Sequence, residues 1–378
     1  MRVMYVAPAF HPNQAPIVKG WKESGTKVKF VAQYAVPIEN RADCVPIILG
    51  YSFVFQLFLK YYSRKKNLGT SAYPEAVRDL YGFPPIMRAL RLLYQFRPDV
   101  VILRERSIYS IVFNILCRML KIKTILYNQT PMWDEAVSTQ DFAHKVVYRM
   151  APRTRITPVL GKPGKGQLHK NTTYVPFVIE PMLAPDEKQY FLGDRINIIC
   201  IGKYEVRKNQ KMLVEYLASK REHKIHLTLV GQVSTSYHQQ CYQEITELIE
   251  KYGLQDKVSC FVNVNPLEIG NFYKNADLFV LPSTNEFASI SQLEAMSYSL
   301  PVIISDTNGS ACYIEEGKNG FLFHDNQQMD LFEKLDRFIS DKMLIIRMGE
   351  QGYQMSRDRY SFKKYEKSIK KIICQNRD

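Results

Sequence analysis

Glu286 and Glu294 stand eight positions apart in the segment ADLFVLPSTNEFASISQLEAMSYSLPVIISDTNGSACYIEEGKNGFLF, residues 276 to 323. A carboxylate can accept two hydrogen bonds from a vicinal diol, the group that sugars and ribose present. Between the two acids, Ser289 predicts a helix N-cap with Gln292 as its capping-box partner, and the free first-turn amides around Ser289, Ile290 and Ser291 suit a phosphate. Acids beside a phosphate repel it unless cations are supplied. The stretch Gly202-Lys203-Tyr204-Glu205-Val206-Arg207-Lys208 supplies Lys203, Arg207 and Lys208, which either neutralise a diphosphate without a metal ion or form an ordinary solvated loop.

Other nucleotide loops are missing. No strand runs into G-x-G-x-x-G, and Gly161-Lys-Pro-Gly-Lys-Gly166 is followed by Gln167 where a P-loop needs Lys. A dinucleotide dehydrogenase and an ATPase are both disfavoured.

The elements that must position these residues repeat one pattern twice. Strands are predicted at residues 2 to 8, 27 to 33, 99 to 103 and 123 to 127, with an apolar helix around 110 to 120. The pattern restarts with strands at 196 to 201, 226 to 230, 258 to 262, 277 to 281 and 301 to 304. Helices lie near 210 to 219, up to about 252, near 268 to 274 and from about 289. Short apolar strands alternating with helices make an α/β fold of two Rossmann-like, doubly wound parallel-sheet domains facing across a cleft. Pro176, Pro181 and Pro185 mark a hinge between them.

With the order of its motifs in view, the second half resembles glycosyltransferase family 4, whose members have the GT-B fold. Glu286 and Glu294 followed by AMS, then LPVI, an S-D-x-x-G ending at Gly309, and Gly317-Lys-Asn-Gly320 match that family's E-x7-E region, and Gly202-Lys203 with Lys208 resembles its glycine-then-cation signature. The resemblance implies that Lys203 and Lys208 hold a donor pyrophosphate with Gly202 and Arg207 beside them, and that Glu294 takes the ribose and Glu286 the donor sugar. It further implies that Phe287, Ala288, Ser289 and Ile290 contact sugar and phosphate, and that Val262 and Asn263 face the base. The activity implied is metal-independent, retaining transfer of a hexose from a nucleoside diphosphate sugar, with a UDP-sugar favoured and no cofactor. Domains are then expected at 1–183 (acceptor), 184–355 (donor) and 356–378, a helix packing back toward the first. The sequence departs from the family where Ala288 replaces a usual Gly, where PAFHPNQAPIVKG lacks a glycine pair, and where Asn128-Gln129 stands in place of a His. Gln129, Asn128 and His11 are the candidate acceptor or sugar contacts, each equally readable as a plain loop or strand-end residue.

Charge divides the 378 residues sharply. Residues 1 to 190 hold 27 Lys+Arg against 13 Asp+Glu, and the remainder holds 24 of each, so the whole excess of +14 lies in the first half. Such asymmetry points to an anionic partner: an anionic lipid-linked or glycan acceptor, or an anionic membrane surface. No nucleic-acid module is visible there. Phe53, Phe55 and Phe58 precede Arg64, Lys65 and Lys66, and aromatic rings beside cations suit a membrane interface, the other reading being a core helix with a basic end. Seven scattered cysteines without C-x-x-C or zinc spacing, an opening MRVMYVAPAFHPNQ unlike a signal peptide, and no long apolar run predict a cytoplasmic protein, peripheral on the inner membrane face, with no metal site. The readings are a glycosyltransferase of polysaccharide biosynthesis, a nucleotide-sugar-binding protein without transfer activity, or a GT-B epimerase or phosphorylase.

Overall fold

The computed structural model describes residues 1–35, 45–65, 75–104, 107–131, 133, 154–162, 167–169 and 171–375. The chain forms two compact units, residues 1–158, 166–178 and 362–378 in the first, and 159–165 with 179–361 in the second. The last passage from the first unit into the second falls at 178/179, because Val175 and Val178 are buried in the core of the first unit.

In the first unit a seven-stranded sheet has the order β3-β2-β1-β4-β5-β6-β7. Its strands are β1 (Arg2–Ala7), β2 (Lys27–Ala32), β3 (Ile47–Ile48), β4 (Val100–Arg104), β5 (Lys123–Tyr127), β6 (Arg155–Thr157) and β7 (Thr172–Tyr174). Every neighbouring pair is parallel. Alternation along β1 sends Val3 and Tyr5 into one layer with Trp21, Tyr365 and Ile369, and Met4 and Val6 into the opposite layer with Leu93 and Phe113. Helices α1 (Ala15–Glu23), α2 (Phe53–Lys65), α3 (Glu75–Tyr81), α4 (Ile86–Phe96) and α5 (Ile108–Met119) surround it.

The second unit carries a six-stranded parallel sheet, β10-β9-β8-β11-β12-β13. It comprises β8 (Ile196–Ile201), β9 (Ile225–Gly231), β10 (Val258–Val262), β11 (Leu278–Leu281), β12 (Val302–Ser305) and β13 (Gly320–Phe323). Its helices are α6 (Gln210–Ser219), α7 (Ser236–Tyr252), α8 (Ile269–Asn275), α9 (Ser291–Ser297), α10 (Gln328–Ser340) and α11 (Lys342–Arg359). The last helix, α12 (Phe362–Gln375), belongs to the first unit. There the Tyr5 hydroxyl lies 3.0 Å from the Tyr365 hydroxyl and accepts from Trp21 Nε1 at 2.7 Å. Gly20 allows this docking, since a Cβ at that position would stand 2.1 Å from the Phe362 ring.

Two expectations change here. Helix α9 starts at Ser291 rather than Ser289, with Ile290 as a cap residue that lends no side chain. The Ser289 hydroxyl bonds to Gln292 Oε1 (2.6 Å) and to Asn308, so the capping box is replaced by a side-chain cluster. On α2, Phe55 is buried with its ring 5.2 Å from Tyr51, whereas Phe53 and Phe58 are exposed. The aromatic run is therefore split between core and surface. Arg64 and Lys65 occupy the last turn of α2, and Lys66 lies outside the described residues.

Candidate functional site

The order of the second sheet reverses between β8 and β11, which makes their carboxyl ends the place where open α/β sheets bind ligands. Three loops meet there. The first leaves β8 through Gly202 and Lys203, makes a single 3-10 turn over Val206–Lys208, and enters α6 through Asn209 in the left-handed conformation (φ 51°). The second leaves β11 at Pro282 and carries Thr284 to Ile290, and the third follows β12 through Asn308 and Gly309.

Backbone and side chains tie them into one body. The Thr284 amide donates to the Arg207 carbonyl (2.8 Å), and Asn209 Nδ2 donates to Thr284 Oγ1 (2.9 Å). The Gly309 amide donates to the Glu286 carbonyl at 2.7 Å, while Ser310 Oγ donates to the Ser289 carbonyl at 2.8 Å. A Cβ on residue 309 would lie 1.9 Å from the Phe287 carbonyl oxygen, so only glycine lets the second loop lie across the third.

At the centre is Glu286. Its Oε2 accepts from Lys208 Nζ and from Arg207 NH1 (2.7 Å), and Arg207 Nε also pairs with Glu205 (2.7 Å). His238 Nε2 stands 3.5 Å from the other oxygen of Glu205. The Lys208 chain is almost wholly buried, and its stem passes within 3.4 Å of where a Cβ on Gly202 would be. Burial works against a charged Glu286, but Lys208 and Arg207 outweigh it and hold its carboxyl below the ordinary range. The group therefore stays ionised at neutral pH and loses the pair only as pH falls through that lowered value. Lys203 is exposed and takes no part in this cluster; Gln210 Nε2 holds its carbonyl at 3.1 Å.

Glu294 sits in the first turn of α9, half-buried, on a different partner. The hydroxyl of Tyr273, on α8, donates to Glu294 Oε2 (3.0 Å) and lies 3.2 Å from the Ser291 carbonyl. Tyr273 is fully buried and stacks on Tyr298 with ring centroids 5.4 Å apart. Its helix is held from below by Lys188, whose buried ammonium donates to the carbonyls of Tyr273, Lys274 and Ala276 at 3.2, 2.6 and 2.5 Å. Burial pulls the pKa of Lys188 down to about 8. Neither Tyr273 nor Lys188 is marked by any motif in the sequence. Tyr273 lies 21 positions before the carboxylate it orients, on another helix.

The remaining predicted residues fall into two groups. At the end of β10, Phe261 and Val262 are partly exposed, and Asn263 is left-handed (φ 53°), its side chain clamping the Val233 backbone at 2.9 and 3.0 Å. Phe287 projects into solvent, with Ala288 beside it and Ser289 buried beneath. In the first unit, His11 is exposed in the loop after β1, with its amide on Gln14 Oε1 at 2.9 Å. Asn128 closes a turn by accepting from the Thr130 amide (3.0 Å) and hydroxyl (2.8 Å), and Gln129 Nε2 donates to the Tyr127 hydroxyl at 2.8 Å. Among the described residues, no His, Cys, Asp and Glu gather into a group of three able to hold a metal.

Tyr273→Phe removes the hydrogen bond to Glu294 and little volume. Calorimetric titration with UDP should show affinity about 3- to 10-fold weaker, the cost of roughly one hydrogen bond, with an unchanged circular-dichroism spectrum; unchanged affinity would show that Tyr273 does not set Glu294.

The chain is similar to known glycosyltransferases in sequence and in fold. The family model described as "Glycosyl transferases group 1" matches residues 185–355. The alpha-1,3/1,6-mannosyltransferase ALG2 of Dictyostelium discoideum is 23% identical over 201 residues, 50% of this chain and 46% of that protein. An Escherichia coli UDP-Gal:alpha-D-GlcNAc-diphosphoundecaprenol alpha-1,3-galactosyltransferase is 39% identical over 79 residues, 21% of this chain and 20% of its own. The chain thus spans less than half the length of these curated relatives. Solved structures match nearly throughout: a glycosyltransferase from Rickettsia africae with TM-score 0.69 at 16% identity, covering 99% of each chain, and Anabaena Alr3699/HepE in complex with UDP-glucose with TM-score 0.69 at 13% identity, covering 99% of this chain and 100% of that one. The two parallel-sheet units have the GT-B fold, and residues 185–355 match the family model of the glycosyl transferases group 1.

Proposed function

We propose that the chain transfers a hexose, with retention of configuration and without a metal ion, from a nucleoside diphosphate sugar to an anionic lipid-linked or glycan acceptor. The observation that carries this reading is the Glu286 carboxylate held by Lys208 and Arg207 at the β8/β11 switch point. An arriving diphosphate competes for the same two cations. Lys208 and Arg207 then neutralise the charge that grows on the departing diphosphate as the glycosidic bond breaks, and the displaced Glu286 is available to the hydroxyls of the donor sugar. Glu294, oriented by Tyr273, takes the ribose diol. A UDP-sugar is favoured, in keeping with the donor for which the Escherichia coli relative is named.

The acceptor belongs to the first unit, where the positive charge lies and where His11, Asn128 and Gln129 occupy the carboxyl ends of β1 and β5. A phosphate-linked acceptor of polysaccharide biosynthesis suits that charge. Such an acceptor places the enzyme on the cytoplasmic face of a membrane. No helix among the described residues is long and apolar enough to cross one. Instead α2 exposes Phe53 (73%), Val54 (75%), Leu57 (49%) and Tyr61 (65%), a half-submerged apolar face ahead of Arg64 and Lys65.

Two experiments test these statements. Lys208→Ala should lower release of nucleoside diphosphate from the preferred member of a UDP-, GDP- and ADP-sugar panel by about 100-fold or more, and wild-type turnover in this variant contradicts the assignment. Donor binding with no release in the wild type would identify a nucleotide-sugar-binding protein instead. For the membrane, Leu57→Ser with Tyr61→Ser should weaken cosedimentation with phosphatidylglycerol vesicles at low and high salt alike, since insertion of apolar side chains is not screened. Neutralising Arg64, Lys65 and Lys66 should weaken it chiefly at low salt. A wild type that stays in the supernatant at low salt ends the membrane assignment.

A further inference from the structure

One cavity among the described residues has no part in the loops after β8, β11 and β12. It lies in the first unit, at the amino ends of β1, β4 and β5, and has a volume of about 900 Å³. Ligand pockets of this size ordinarily take a whole small molecule. Its apolar wall is Leu93 of α4, Leu120 and Ile122 between α5 and β5, and Ile373 of α12. Around that wall stand five cations, Arg2, Arg97, Lys121, Lys123 and Lys370, and a single carboxylate, Asp99.

The carboxylate is already engaged. Asp99 accepts from the Arg2 amide at 2.7 Å and pairs with its guanidinium at 3.7 Å. Lys123 Nζ is bound to the Ile373 carbonyl (3.0 Å), and Lys370 pairs with Glu366 (2.8 Å). Arg97 and Lys121 remain, both exposed and both fixed in left-handed turns (φ 48° and 55°) that close α4 and α5. Neither has a carboxylate partner among the described residues, and Arg97 lies over the Tyr94 ring at 5.4 Å. A fully hydrated polyanion would leave the apolar wall unused, and a neutral hydrocarbon would leave Arg97 and Lys121 unused. A molecule with one aliphatic chain and one anionic head uses both.

We propose that this pocket binds a single-chain aliphatic anion, its tail along Leu93, Leu120 and Ile373 and its phosphate or carboxylate head between Arg97 and Lys121. The site is independent of the donor machinery, which lies in the other unit. It is therefore tested by a readout other than transfer.

Cys374, exposed on α12, lines the same pocket and reports its occupancy, and Cys117, fully buried with its thiol pushed up to about 12 by that burial, serves as the internal control for unfolding. Alkylation of Cys374 by N-ethylmaleimide is followed by peptide mass spectrometry with monomeric dodecyl phosphate, inorganic phosphate, dodecanol or phosphatidylglycerol vesicles. Dodecyl phosphate should slow the reaction at least 5-fold while inorganic phosphate and dodecanol do not, and Cys117 should stay unlabelled. The protection should disappear in Arg97→Glu with Lys121→Glu. If that pair melts early by circular dichroism, Arg97→Gln with Lys121→Ala should still cut it by half or more. The proposal is overturned by no protection in the wild type, by equal protection from dodecanol, by protection that survives in a folded variant, by labelling of Cys117, or by protection from vesicles alone, which would make the pocket a bilayer contact.

Discussion

One carboxylate oxygen, Oε2 of Glu286, is shared by a buried lysine and a half-exposed arginine, and the donor-side architecture depends on that contact. It joins the loop after β8 to the loop after β11 across the reversal in strand order. The main-chain bond from Thr284 to Arg207 keeps the two loops in register, and Gly309 admits the third loop beneath them. Without the charge of Glu286, Lys208 would be a buried cation beside the guanidinium of the residue before it. Without Lys208 and Arg207, burial would drive Glu286 toward its neutral form.

The same arrangement is what the proposed role at a diphosphate rests on. Two cations with a single removable anion form a site already shaped for negative charge, and a ligand that brings more charge than one carboxylate competes on favourable terms. Glu294 is held apart from this exchange. A neutral hydroxyl on a packed helix, that of Tyr273, donates to it, and that helix end is held in turn by Lys188.

Much of this was legible in the residues. Apolar runs of four to seven residues make strands of a parallel sheet, and β5, β8, β10 and α6 begin and end where the pattern predicts. Gly309 and Lys208 were marked by the motifs that contain them. Tertiary contacts were not. Ser289 reads as a cap because Ser and Gln at that spacing form one in isolated helices, but Asn308, 19 positions on, competes for its hydroxyl. Phe55 reads like Phe53 and Phe58, and only the position of Tyr51 separates them. Short strands such as β3 and β7 carry too few residues to show a period. Lys203, drawn in by the glycine-then-cation pattern, lies outside the ion-pair cluster that Lys208 and Arg207 make with Glu286.

The central claim is that Glu286 and the donor diphosphate contend for the same two cations. Calorimetric titration of UDP into the wild type, Glu286→Gln, Lys208→Met and the double variant tests it as a double-mutant cycle. Freeing the cations should tighten UDP binding by about tenfold when Lys208 is present, the value of one charged hydrogen bond, and should do markedly less when Lys208 is methionine. UDP affinity that is unchanged or weakened by Glu286→Gln with Lys208 intact would contradict the account.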